Sequence, residues 1–173
     1  MSDESGSNAR RNDAQVAGES VLLSLPDEQA TLALGADLGA LLEPDDRLFL
    51  YGDLGAGKTT LVRGLLRALG WTGRVKSPTY SLVEHYLISR LHLYHFDFYR
   101  FERPSEWLDA GFHEHFNTHS VCLVEWPERV GVALGTPDLE IRFAIHPDSR
   151  TVTLRAHSGR GRAQLAALPP RSR

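Results

Sequence analysis

Residues Gly52-Asp-Leu-Gly-Ala-Gly-Lys-Thr59 have the form Gly-x4-Gly-Lys-Thr. A residue without Cβ enters tight turn conformations at low cost, so these glycines let backbone N–H groups turn inward around a polyphosphate. Lys58 can reach β- and γ-phosphate oxygens, and the hydroxyl of Thr59 suits a magnesium ion. The flanks agree with that reading. Arg47-Leu-Phe-Leu-Tyr51 reads as a buried strand, and Thr60-Leu-Val-Arg-Gly-Leu-Leu-Arg-Ala-Leu69 has helical spacing. Strand, glycine loop and helix in that order set the positive end of a helix dipole beneath the phosphates. The rival, a Gly-rich strand-to-helix turn with an incidental lysine, accounts for the loop but not for both flanks.

Outward from the loop, residues 20–25 read as a strand and 26–41 as an amphipathic helix with Asp27 as its N-cap. Beyond it, Gly70 ends the loop helix. Residues 80–86 and 90–98 read as strands, the second with Leu91, Leu93 and His95 on one face and His92, Tyr94 and Phe96 on the other. Residues 105–116 read as a helix. Ser120-Val-Cys-Leu-Val-Glu-Trp126 is an apolar strand that ends in an acid. Segments 138–145 and 150–155 form a hairpin around His146-Pro-Asp-Ser149. Helices and buried strands in this order predict an α/β fold, a P-loop NTPase-like three-layer domain with a central mixed, largely parallel sheet. Its expected extent is 19–156, after a disordered polar leader at 1–18 and before a flexible basic tail at 157–173.

The 173 residues suit one domain with a substantial core. A net charge of -3 carries no global basic bias toward nucleic acid, although Arg160, Arg162, Arg171 and Arg173 could form a local patch. The single cysteine, Cys122, lies in an apolar run and has no internal disulfide partner, which fits a reducing cytoplasm. No apolar run approaches the ~18–20 residues of a membrane span.

Three further stretches carry candidate chemistry. Glu125, at the end of an apolar strand, suits the acid that holds magnesium directly or through water beside Thr59. In Ser77-Pro-Thr-Tyr80, Thr79 is either a switch hydroxyl sensing metal or γ-phosphate, or part of a turn. In Tyr94-His-Phe-Asp-Phe-Tyr-Arg100, Asp97 could orient or deprotonate a water, or bind magnesium through water. Arg100 could pair with Asp97 or with phosphate. His95, Tyr99 and Arg100 read as packing residues.

Gly52-Asp-Leu-Gly-Ala-Gly-Lys-Thr-Thr60, Val75-Lys-Ser-Pro-Thr-Tyr-Ser-Leu-Val-Glu84, Tyr94-His-Phe-Asp-Phe-Tyr-Arg100 and Cys122-Leu-Val-Glu-Trp-Pro-Glu128 together resemble one family. It is TsaE (YjeE), the bacterial ATPase needed for threonylcarbamoyladenosine in tRNA, and the likeness runs over about 25–150. The resemblance implies ATP and Mg2+ as cofactors, and TsaB and TsaD as partners. It also implies that tRNA is met indirectly through that complex, with no membrane involved. The modified base would be adenosine 37 of tRNAs reading codons that begin with A. TsaD would transfer the group, and ATP hydrolysis by this chain would support repeated turnover. By matched position the catalytic residues would be Lys58, Asp97 and Thr79, and the metal residues Thr59 and Glu125. Nucleotide would meet Asp53, Leu54, Gly55, Ala56, Gly57, Lys58, Thr59 and Thr60, together with Glu28, Trp126 and Arg150. A small-molecule kinase is the alternative, with Arg100 and Arg103 as lid arginines. A non-catalytic or GTP-driven switch is a second alternative, and the chain has no Asn-Lys-x-Asp element for guanine, which counts against GTP.

Overall fold

A computed structural model of the chain describes residues 20–171. The leader read at 1–18 lies outside them. The strands are β1 Ser20–Leu25, β2 Arg47–Tyr51, β3 Val83–Ile88, β4 Leu91–Asp97, β5 Ser120–Glu125, β6 Leu139–Ile145 and β7 Arg150–Ala156. They form one seven-stranded sheet in the order β1-β7-β6-β2-β5-β4-β3. The middle strands β6, β2, β5 and β4 run parallel, and the flanking pairs β1–β7, β6–β7 and β3–β4 are antiparallel. The apolar runs decide this placement. Every residue of β5 is buried, as are Leu48, Phe49 and Leu50 of β2, which is the pattern of strands covered on both faces.

The helices are α1 Glu28–Gly39, α2 Lys58–Ala68, α3 Glu106–Asp109 and α4 Gly159–Ala167. Asp27 caps α1, its Oδ1 accepting the Ala30 N–H at 2.8 Å. On one face of the sheet, α1 and α2 pack through glycines. A Cβ at Gly35 would lie 2.1 Å from the Leu61 carbonyl oxygen, and one at Gly64 would lie 2.1 Å from that of Leu32. The core between these helices and the sheet is aliphatic, built on Leu34, Leu38, Leu50, Leu61 and Leu65. The core on the opposite face is aromatic, with Phe96, Phe98, Phe101 and Trp107 packed beneath α3 and the short turns around it.

Two expectations change. The helix read at 105–116 is broken: α3 stops after Asp109, Gly111 turns the chain at a φ of 74°, and Phe112–His115 forms a separate 3-10 turn. Glycine at the end of a helix takes the left-handed conformation that stops it. The second change is in the segment expected to be a loose tail, where α4 is folded onto the body. The Ser158 hydroxyl accepts the Gly161 N–H at 3.0 Å, Leu165 is buried, and Gln164 Nε2 donates to the buried Asp46 at 2.7 Å. Arg160 pairs with Asp46 at 3.2 Å and Arg171 with Asp37, so part of the presumed basic patch is spent on internal ion pairs.

The parallel register brings the C-terminal ends of β2, β4 and β5 side by side, with Asp97 opposite Glu125. In open α/β sheets this edge is where ligands bind. Among the described residues, no helix is long and apolar enough to cross a membrane.

Candidate functional site

The loop after β2 turns on glycines with positive φ: 141° at Gly52, 76° at Gly55 and 114° at Gly57. Gly57 is the N-cap of α2, and its carbonyl accepts the Leu61 N–H at 2.9 Å. Lys58 is therefore the first helical residue and is buried. Its ammonium donates to the Gly52 carbonyl and, at 3.1 Å, to the Asp53 carbonyl. It also lies 4.5 Å from the centre of the Trp126 ring. Burial pushes its pKa below the ordinary lysine value, opposed by the charges of Glu125, Asp97, Glu128 and Asp53.

Glu125 closes β5 as a buried carboxylate. Its Oε1 accepts the Thr59 hydroxyl at 2.9 Å and His95 Nε2 at 2.8 Å. Burial pushes this carboxyl up. The hydrogen bond and charge of His95, the Thr59 hydroxyl and the Lys58 charge outweigh that effect, and the net shift is downward. Because Thr59 gives its proton to Glu125, its oxygen lone pairs remain available to a cation.

Asp97 ends β4 and is also buried. Its Oδ2 accepts from Ser77 at 2.8 Å and Thr79 at 3.3 Å, and these two hydroxyls lie 2.9 Å apart. Its Oδ1 accepts the Tyr99 N–H at 2.9 Å. Arg100 does not pair with it, since the guanidinium stacks 4.1 Å over Tyr80. Trp126 follows Glu125 with a φ of 57°, a left-handed conformation rare for a bulky side chain. Its ring meets that of Tyr99 at 5.0 Å. Strain of this kind concentrates where a side chain must be aimed at a site.

Lys58, Thr59, Asp97 and Glu125 converge on a cavity of about 530 Å3, within the ~300–1,000 Å3 range of small-molecule sites. The loop from Leu54 to Thr60 forms its floor, and Ser77, Thr79, Asp97, Glu125 and Trp126 form one wall. Glu28, Arg63 and Arg150 line it as well. Glu28 and Arg63 pair at 3.7 Å, and a Cβ at Gly57 would lie 2.8 Å from the Arg150 guanidinium. Of the residues expected from the sequence, only Asp53 is absent from the lining, and it reaches the site through its carbonyl on Lys58. Sequence reasoning missed three. Arg63 lies one helical turn after Thr59, a spacing that could have found it. Ser77 was legible only as the polar start of Ser-Pro-Thr. His95 was read as packing. Neither Arg100 nor Arg103 lines the cavity, which leaves the kinase alternative without its lid arginines.

The donor set fits magnesium. Thr59 offers lone pairs, and Glu125 offers Oε2, which takes no hydrogen bond from the described residues. Magnesium takes one or two carboxylates, with waters and phosphate oxygens completing the shell.

Comparison with known proteins gives a consistent result. The model of the family described as "Threonylcarbamoyl adenosine biosynthesis protein TsaE" matches residues 25–154. The chain is 40% identical over 155 residues to a tRNA threonylcarbamoyladenosine biosynthesis protein TsaE of Haemophilus influenzae, covering 87% of this chain and 98% of that one. It is 40% identical over 136 residues to the protein of the same description from Bacillus subtilis, covering 78% and 84%. The crystal structure of Bacillus subtilis YdiB superposes with a TM-score of 0.71 at 30% identity, over 86% of this chain and 93% of that one.

Proposed function

This chain belongs to the TsaE family, whose place is in threonylcarbamoyladenosine biosynthesis, and from that premise we propose that it is a magnesium-dependent ATPase serving this tRNA modification. The modified position is adenosine 37 of tRNAs reading codons that begin with A. The chain works in the cytoplasm with TsaB and TsaD and meets tRNA through them. It does not transfer the threonylcarbamoyl group. Its ATP hydrolysis lets the assembly turn over repeatedly.

The observation that carries this reading is the convergence of Lys58, Thr59, Asp97 and Glu125 on one cavity at the C-terminal edge of the parallel strands. The loop amides and the N-terminus of α2 cradle the phosphates. Lys58 exchanges its two carbonyl contacts for phosphate oxygens and stabilises charge on the transferring group. Thr59 and Glu125 would hold magnesium, which neutralises charge on the β- and γ-phosphates. Asp97 accepts a hydrogen bond from the attacking water and takes its proton as the γ-phosphorus–oxygen bond to ADP breaks. Thr79, hydrogen-bonded to Asp97, is the hydroxyl that senses the γ-phosphate.

Reconstitution tests this reading. Purified chain is combined with TsaB, TsaD, tRNA and the threonylcarbamoyl-adenylate donor. Modification beyond one turnover is expected to require ATP and this chain, and Lys58→Ala is expected to leave the assembly at a single turnover. Repeated turnover without ATP would refute the proposal.

A further inference from the structure

His95 has no exposed surface, although its neighbour on the same strand face, Leu93, shows that an apolar side chain packs there. Burying an imidazole costs free energy unless its nitrogens are partnered. Only one of them is. Nε2 lies 2.8 Å from Glu125 Oε1, and Nδ1 has no hydrogen-bond partner among the described residues. A carboxylate can only accept, so Nε2 carries a proton toward Glu125, and Nδ1 is left without a partner whichever protonation state the ring takes. Packing alone therefore does not account for a histidine here. The bond to Glu125 is what the ring supplies.

That bond has a geometric consequence. His95 stands two residues before Asp97, and β4 sets Asp97 opposite Glu125, so the imidazole approaches the carboxylate diagonally from the neighbouring strand. Oε1 then holds two donors at once, His95 Nε2–H and the Thr59 hydroxyl. We infer that His95 is a positioning residue for the candidate metal site. It fixes the rotation of the Glu125 carboxylate, which keeps the Thr59 proton on Oε1 and leaves Oε2 and the Thr59 lone pairs for a divalent cation. The inference rests on the ATPase reading above. It adds a residue that touches neither nucleotide nor metal.

The test is a Mn2+ titration followed by electron paramagnetic resonance, with ADP present, on the full chain and three variants. His95→Leu removes the donor. His95→Gln carries an amide N–H close to the position of Nε2. His95→Asn carries one too short to reach Glu125. Losing an outer-shell partner costs roughly 10- to 100-fold in metal affinity, so the Leu and Asn variants are expected to bind Mn2+ that much more weakly and the Gln variant to recover most of the affinity. ADP affinity in EDTA is expected to stay within about twofold throughout, because the phosphate loop is untouched. Should the Leu variant fail to fold, the contrast between Gln and Asn decides. Equal Mn2+ affinity in folded Asn and wild-type chains overturns the inference while leaving the ATPase reading intact. Wild-type chain whose ADP complex takes up no Mn2+ overturns both.

Discussion

At the scale of single residues, the site divides its work between two carboxylates on adjacent strands. Glu125 is tied to Thr59 and His95, and Asp97 to Ser77, Thr79 and the Tyr99 amide. Different substitutions should therefore fail differently. Asp97→Asn keeps the shape but loses the proposed proton acceptor. Steady-state phosphate release with TsaB and TsaD should show kcat falling by about 100- to 10,000-fold while nucleotide affinity changes little. Lys58→Ala removes the cation proposed to meet the transferring phosphate and should lower kcat/KM by on the order of 100-fold or more, measured in the same assay. Much of this was legible, because Lys58 and Thr59 open a helix, and Asp97 and Glu125 end strands, whose type the sequence shows. His95 was not. Its partner is 30 positions away, and their meeting depends on the β4–β5 register, which alternation along one strand cannot reveal.

At the scale of elements, the glycines that matter most are those where two backbones meet. A Cβ at Gly64 would sit 2.1 Å from the Leu32 carbonyl oxygen, closer than any rotamer change can relieve, so α1 and α2 would have to separate. Gly64→Ala is expected to destabilise the fold by about 1–3 kcal/mol or more in a urea titration, despite the higher helix propensity of alanine. Gly57→Ala would combine a left-handed φ of 114° with a Cβ 2.8 Å from the Arg150 guanidinium. It should weaken ATP binding, measured by calorimetry, more than it lowers the melting temperature. The loop helix and the strands before it were readable because their apolar periods are long. The break at Gly111 was not anticipated, since Leu108, Phe112 and Phe116 keep a four-residue, near-helical spacing across it. That spacing here serves an aromatic core under a broken segment.

At the scale of the whole molecule, a segment whose composition argued for a loose end packs against β7 of the sheet. α4 is short and rich in Gly and Arg, and the contribution of α4 and the residues after it lies in partners far along the chain: Asp46 for Gln164 and Arg160, and Asp37 for Arg171. Composition cannot show such partners, whereas the terminal hairpin β6–β7 was plain from its alternation and turn. The interior can be probed chemically. Cys122 is buried on β5, and desolvation pushes its thiol up to about 12. Alkylation requires the thiolate, so iodoacetamide at pH 8 should label the native chain only at the rate of global opening and label it quickly in denaturant. Rapid labelling of the native chain would contradict the burial of β5.

The fold and the site meet in one claim, that the loop from Gly52 to Thr59 grips the phosphates of ATP. The most direct measurement is a crystal structure of the chain with a non-hydrolysable ATP analogue and magnesium. The β- and γ-phosphates are expected within that loop, with Lys58 on their oxygens and the metal beside Thr59 and Glu125. Nucleotide bound elsewhere on the molecule, with the loop empty, would contradict the account.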